Sequence, residues 1–273
     1  MKGYESPALY SCKDCSFVFT KKIPEHKELI EHYSSNYAIT RYFSPITAKR
    51  YSDLLDSFEP FRKTNRILDI GCGHGFFLEI AMQKGWEVYG SELTEASVKE
   101  CSKKGIKMFH GELKDGPFEN DFFDIIVSIE VIEHINSPQE FVDQIYKLLR
   151  KGGEFYMSTP NFNSTLRYRL KADYDVIEYP NHLSYYTHKT LTKLFLDHQF
   201  LVDKISTTGI SITRLKTSKG KSNQEYVSET SDDEMLRYRI ERNIFLRAGK
   251  SITNGILNLF KIGDSLKASF IKK

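Results

Sequence analysis

Cysteine is scarce. Only four occur in 273 residues, at positions 12, 15, 72 and 101, and their spacing makes no disulfide framework. That usage points to a reducing compartment. Long apolar runs are also missing, since none approaches the ~20 residues a membrane span needs. The longest, residues 125–132, is interrupted by Ser128 and Glu130. The N-terminus carries no apolar signal core, so a cytoplasmic location is expected. Charge of one sign is weak, with a net formal charge of +3 and scattered Lys and Arg. Neither that balance nor any aromatic–basic stripe argues for a nucleic-acid partner. The rest, 40% hydrophobic and 27% charged, describes an ordinary soluble protein, long enough for one large domain with decorations or a domain with a small appendage.

Residues 1–24 read as irregular, and a helix is expected to start near Pro24 or Glu25. Ser44-Pro45 supplies an N-cap and a first-turn proline for a helix through about Phe58. From residue 66 strands and helices alternate. Strands are expected at 66–70, 86–91, 107–110, 123–129 and 154–158. Helices are expected at 76–84, at 95–104 and from Ser137-Pro138 to Gly152-Gly153. This rhythm requires a mostly parallel sheet covered on both faces. Farther on, Asn163–Lys171 reads as a short helix, Tyr174–Tyr186 as a Tyr-rich loop, Thr187 as the cap of a helix to about His198, and 201–207 as a strand. Residues 214–230 are polar and rich in Gly, Ser and Lys, as a mobile loop is. Ser231-x-x-Glu234 is a capping-box pattern opening a helix of about 20 residues. Met235, Leu236, Ile240, Ile244, Phe245 and Ile256 are spaced for one face of segment 231–260, which implies core cover or contact with a second copy of the chain, a membrane surface being the alternative. A last strand is expected at 266–271.

The most informative stretch is Arg66-Ile-Leu-Asp-Ile-Gly-Cys-Gly-His-Gly-Phe-Phe77. An apolar strand runs into glycines at alternate positions, Gly71, Gly73 and Gly75, with Asp69 just before them. Such glycines admit backbone close to a ligand, where an open α/β sheet binds nucleosides. No Lys-Ser/Thr follows, so this is not a phosphate loop, and the third glycine comes one residue early for a dinucleotide fingerprint.

With these residues placed, the segment from about Arg66 to Phe200 resembles a class I S-adenosylmethionine (SAM)-dependent methyltransferase, closest to the small-molecule and glycan-modifying branch. The resemblance rests on motifs in order. These are the Ile-Leu-Asp-Ile-Gly-Cys-Gly-His-Gly loop, Glu92 closing the second strand, Gly111-Glu112-Leu113 after the third, Phe123-Asp-Ile-Ile-Val-Ser-Ile-Glu-Val-Ile-Glu-His134 as the fourth strand and the Glu-His pair after it, Leu149-Arg-Lys-Gly-Gly153 turning into the fifth, and Ser158-Thr-Pro-Asn161 leaving it. It implies a doubly wound, mostly parallel seven-stranded sheet, the Rossmann-like methyltransferase fold, with an N-terminal helical lid and a C-terminal insertion. The expected divisions are 1–60 for the Cys-x-x-Cys segment and lid, 61–210 for the SAM-binding core, and 211–273 for a loop, an amphipathic helix and the strand completing the core.

The resemblance implies SAM as cofactor and S-adenosylhomocysteine as product. Asp69, Gly71, Cys72, Gly73, Gly75 and Phe76 are the candidate cofactor loop. Glu92 and Leu93 are placed at the ribose, where a carboxylate offers two oxygens to a cis-diol. Glu112 and Leu113 are placed at the adenine, with Glu where the family usually has Asp. Ser128, Ile129, Glu130 and His134 are placed near the methionine part. His134 and His182 are the candidate bases, because imidazole titrates near ~6.5 and suits proton removal from a hydroxyl. If neither is needed, catalysis comes mainly from bringing donor and acceptor together in a dry cavity. Tyr174, Tyr179, Tyr185 and Tyr186 line the acceptor site or simply pack the lid.

No metal is assigned. Cys12-x-x-Cys15 is a weak zinc candidate, with His26 and His32 close to, but outside, finger spacing. Tyr185-x-x-x-Lys189 and Gly263-Asp-Ser-Leu266 are chance matches to dehydrogenase and lipase patterns. The expected function is methyl transfer from SAM to a hydroxyl of a small molecule, a sugar nucleotide or glycan precursor being favoured by the resemblance. The alternatives are a SAM- or nucleoside-binding protein without catalysis and an NAD-dependent oxidoreductase.

Overall fold

A computed structural model describes residues 1–2, 4, 8–24, 28, 42–217 and 231–273. A hairpin of β1 (Leu9–Ser11) and β2 (Val18–Thr20) replaces the irregular segment expected over 1–24. Cys12 and Cys15 sit at its turn, half-buried and without a disulfide. The helix expected from Pro24 or Glu25, and His26 and His32, lie outside the described residues. Helix α1 (Pro45–Ser57) begins as anticipated, the Ser44 hydroxyl accepting the Ile46 and Thr47 N–H groups at 3.2 and 3.3 Å.

Alternation then builds the main sheet. Strands β3 (Arg66–Ile70), β4 (Glu87–Glu92), β5 (Lys107–His110), β6 (Phe123–Ile129) and β7 (Leu149–Pro160) are parallel. They are linked by α2 (Phe76–Gln83), α3 (Glu95–Lys103) and α4 (Pro138–Leu148). After β7 come α5 (Thr165–Leu170), β8 (Ser184–Tyr185), α6 (His188–Asp197) and β9 (Phe200–Thr208). The chain ends with α7 (Ile212–Thr217), α8 (Asp232–Arg242), α9 (Ile244–Leu259) and β10 (Ser265–Lys272). The seven strands run β5-β4-β3-β6-β7-β10-β9, with β10 antiparallel to both neighbours. This is the doubly wound, mostly parallel sheet the resemblance implies.

Strand alternation divides the core between two faces. Leu68, Ile126, Phe155 and Phe270 pack with α4 and α6 on one side. On the other, Ile67, Ile125 and Val127 pack with Leu55, Phe58, Phe77 and Trp86. Both faces are covered, so the strands read as continuous apolar runs. At the start of β6, buried Asp124 accepts the N–H groups of Lys63, Thr64 and Asn65 at 2.6–2.8 Å and pairs with Arg150.

Of the mobile loop expected over 214–230, residues 214–217 belong to α7 and 218–230 lie outside the described residues. Two further expected elements differ. The helix carried to Gly152 stops at Leu148, because Leu149 pairs with Phe123 and Arg150 reaches Asp124; the glycines bend a strand instead of ending a helix. The single helix opened by Ser231 is two helices broken at Asn243, whose side chain caps the second. Of the two roles expected for its apolar face, core cover does not form. Helix α9 meets β9 through Asn254, Asn258 and buried Leu257, while Phe245 and Leu259 are 83% and 75% exposed. Polar residues satisfy backbone groups of β9 there, so the apolar face is left outward.

Candidate functional site

The glycine loop leaves β3 at the carboxyl edge of the sheet, where open α/β folds bind ligands. Gly71 and Gly75 have φ of +67° and +76°, and a Cβ at Gly71 would stand 2.7 Å from Val131 Cγ2. A Cβ on Gly73 would meet nothing within 4 Å, so that backbone borders open space. Glu92, ending β4, closes on the loop: its carboxylate accepts the Gly73 N–H at 3.1 Å and the Leu93 N–H at 2.7 Å. Asp69 is buried, and burial with the neighbouring Glu92 charge pushes its carboxyl well above the usual range. The structure thus brings Asp69, Gly71, Gly73, Glu92 and Leu93 together.

Other expected residues divide. Cys72 and Leu113 turn their side chains into the core and offer only backbone. Phe76 stacks on Phe43 of the segment before α1, centroids 4.4 Å apart. Glu112 follows Gly111 and pairs with Lys114 at 2.8 Å on the rim. Near the end of β6, Ser128 Oγ is buried with no hydrogen-bond partner among the described residues. Ile129 is half-buried. Glu130 has φ of +56°, and its carboxylate accepts the Ser158 hydroxyl at 2.7 Å. It is accessible yet ringed by protein, as a side chain lining a concavity is, and desolvation there raises its pKa.

His134 and His182, 48 positions apart in the chain, come together with ring centroids 4.9 Å apart. The loop carrying His182 is held by Leu183, whose N–H meets the Glu133 carbonyl at 2.8 Å while its own carbonyl accepts the Thr20 N–H. Strand β8 adds to β2 to complete a three-stranded sheet beneath it. His134 Nδ1 bonds the Asn181 carbonyl at 2.7 Å, and His182 Nδ1 bonds the Val176 carbonyl at 2.6 Å. A carbonyl only accepts, so each Nδ1 carries the hydrogen and a neutral ring then keeps its lone pair on Nε2. Burial and the adjacent His134 push His182 down to about 3, which holds it neutral. Glu133, 3% exposed, accepts the Thr159 hydroxyl at 2.9 Å and lies 3.9 Å from His134 Nε2.

The sequence reading missed several neighbours. Tyr51 of α1 and Tyr156 of β7 are raised chiefly by burial, with Glu130 contributing to both. Arg50 and Lys267 are lowered by burial and by nearby cations, Arg237 acting on both. These positions come from α1, α8 and β10, and no local motif marks them. Tyr174, Tyr185 and Tyr186 are instead packed in the core, and Tyr179 is half-buried under Lys22.

Comparison with known proteins agrees with this geometry. Residues 42–205 match a family model described as a methyltransferase domain. Over 97 residues the chain is 32% identical to a probable S-adenosylmethionine-dependent methyltransferase of Mycolicibacterium smegmatis, covering 35% of this chain and 38% of that one. Over 128 residues it is 34% identical to the ubiquinone biosynthesis O-methyltransferase of Roseobacter denitrificans, covering 45% and 51%. The chain therefore spans about half, or less, of the length of these relatives. A solved SAM-dependent methyltransferase of Archaeoglobus fulgidus shares the fold, with a TM-score of 0.54, 19% identity and coverage of 91% and 100%. The chain belongs to the class I SAM-dependent methyltransferases, with SAM as its cofactor.

Proposed function

We propose that the protein transfers a methyl group from SAM to a hydroxyl of a small molecule bearing an anionic group, such as a sugar nucleotide or glycan precursor. The observation that carries this reading is the convergence of Glu133, His134 and His182 at the same sheet edge as the glycine loop and Glu92. The cofactor would lie along the backbone of Asp69, Gly71, Cys72, Gly73, Gly75 and Phe76. Its ribose would meet Glu92 and Leu93, its adenine Glu112 and Leu113, and its methionine part Ser128, Ile129 and Glu130. The residues fit such a group: Gly73 borders open space, Glu92 presents a carboxylate to a diol, and Ser128 Oγ is a buried hydroxyl in want of a partner.

When bound, SAM supplies an electrophilic methyl on a sulfonium. The chain's part is to hold the acceptor hydroxyl in line and to take up its proton at the His134–His182 pair beside Glu133. Arg50, Arg237 and Lys267 favour an anionic acceptor on the Glu130 side. The O-methyltransferase name of the Roseobacter relative agrees with oxygen as acceptor atom. The four unpaired thiols suit a cytoplasmic setting.

A labelled-methyl assay against a panel of sugar nucleotides and phenols tests the reading. His134→Gln and His182→Gln are expected to lower kcat by about 100-fold or more while SAM still binds. Unchanged turnover in both variants would sink the proton-handling role.

A further inference from the structure

Three electron-pair donors converge at the carboxyl edge of β6 and face one another. A carboxylate oxygen of Glu133 and one ring nitrogen each of His134 and His182 all lie within 4.8 Å of one another. Glu133 is buried, and both histidines commit Nδ1 to backbone carbonyls outside the cluster. That pattern, a backbone carbonyl on one nitrogen and the other turned inward, is how metal-bound histidines are oriented.

We propose that Glu133, His134 and His182 bind a divalent transition-metal ion, zinc being the natural choice. Two imidazoles and one carboxylate suit zinc, iron, cobalt or nickel better than magnesium, which prefers an all-oxygen shell. A three-residue set also leaves a coordination position open, as catalytic zinc sites do. Bound zinc holds its ligand atoms about 3.3 Å apart, so the cluster closes slightly around the ion. The His182 loop is what completes the set, and it is anchored from both sides, by the Glu133 carbonyl and by β2. A position left open on the ion would be available to the acceptor, and this role, unlike the binding itself, rests on the methyltransferase reading. With the ion bound, the imidazole lone pairs are committed to it, so proton removal would pass from the free rings to the ion, which would acidify an acceptor oxygen placed there.

The test uses the full chain stripped with a chelator and titrated with zinc or cobalt(II) alone, without SAM or acceptor. One equivalent is expected to bind, with cobalt giving a visible absorption band of a nitrogen–oxygen site. His182→Ala and Glu133→Gln are each expected to weaken binding at least about 10–100-fold. A Cys12→Ser/Cys15→Ser variant is expected to bind as the parent does. Failure to bind one equivalent, or binding lost only in the cysteine variant, overturns the proposal. Because no methyl donor is present, the methyltransferase reading can fail while this one stands, and the reverse.

Discussion

Glu92 Oε2 accepts the Gly73 N–H at 3.1 Å, so the end of β4 and the middle of the glycine loop are fixed to each other. The same carboxylate is the one placed at the ribose. Removing it takes away the ligand contact and the tie that shapes the loop. Glu92→Ala is expected to weaken SAM binding by about 10–150-fold, the range for hydrogen bonds to a charged group. Glu92→Gln keeps an acceptor for Gly73 and should fall between. Calorimetric titration of the three proteins checks the order.

At Gly71 backbone and packing act together. An Ala there would hold a positive φ and press its Cβ against Val131 Cγ2 at 2.7 Å. Gly71→Ala is expected to cost about 1–3 kcal/mol in denaturant unfolding. Adding Val131→Ala relieves the clash but not the backbone conformation, so recovery should be partial. Full recovery would show that φ carries no cost.

The Asp124–Arg150 pair ties the segment before β3 to the start of β6 and β7. Desolvation opposes ionisation of Asp124, but Arg150 and three backbone N–H groups outweigh it and hold the carboxyl below its ordinary range. Asp124→Asn leaves Arg150 buried without its partner and is expected to cost about 3–5 kcal/mol. Since the folded-state pKa is depressed, this contribution is complete above the unfolded value of about 3.9 and disappears as pH falls through the folded one. Acid unfolding of the Asn variant should therefore be shallower than that of the parent.

Glu154 behaves in the opposite sense. Burial raises it to about 7 in the middle of the sheet, against the hydrogen bond from Ser269. Its folded state holds the proton more tightly, so its contribution is present below about pH 4 and is lost as pH rises through 7. Glu154→Gln cannot ionise. It is expected to match the parent near pH 5 and to exceed it near pH 8 by about 1–3 kcal/mol. Thermal unfolding at the two pH values decides this.

The parallel half of the fold was legible because β3 and β6 are apolar runs, glycines follow β3, β5, α2 and α3, and Ser44-Pro45 and Ser137-Pro138 open helices. Ser44, Thr187 and Ser231 all cap where their patterns indicate. What local pattern misled was governed by distant partners. Gly152-Gly153 reads as a helix stop, yet the preceding residues belong to β7 because Asp124 lies across from Arg150. Residues 9–11 and 18–20 are too short to show a period, and their sheet is completed by Ser184–Tyr185. The glycines and Glu92 could be read because the motif itself sets their spacing. The pairing of His134 with His182 could not, since long-range bonds create it, from Leu183 N–H to the Glu133 carbonyl and from His134 to the Asn181 carbonyl. Core cover and contact with a second copy both stayed open for the apolar face of α9, because periodicity shows that a face exists but not which way it points.

Binding of the methyl donor tests the central claim most directly. The full chain is titrated calorimetrically with S-adenosylhomocysteine and, separately, with NAD. Saturable one-to-one binding of S-adenosylhomocysteine, weakened by Glu92→Ala and with no heat from NAD, is the expected result. No binding of S-adenosylhomocysteine, or binding untouched by Glu92→Ala, would contradict the site described at the end of β4.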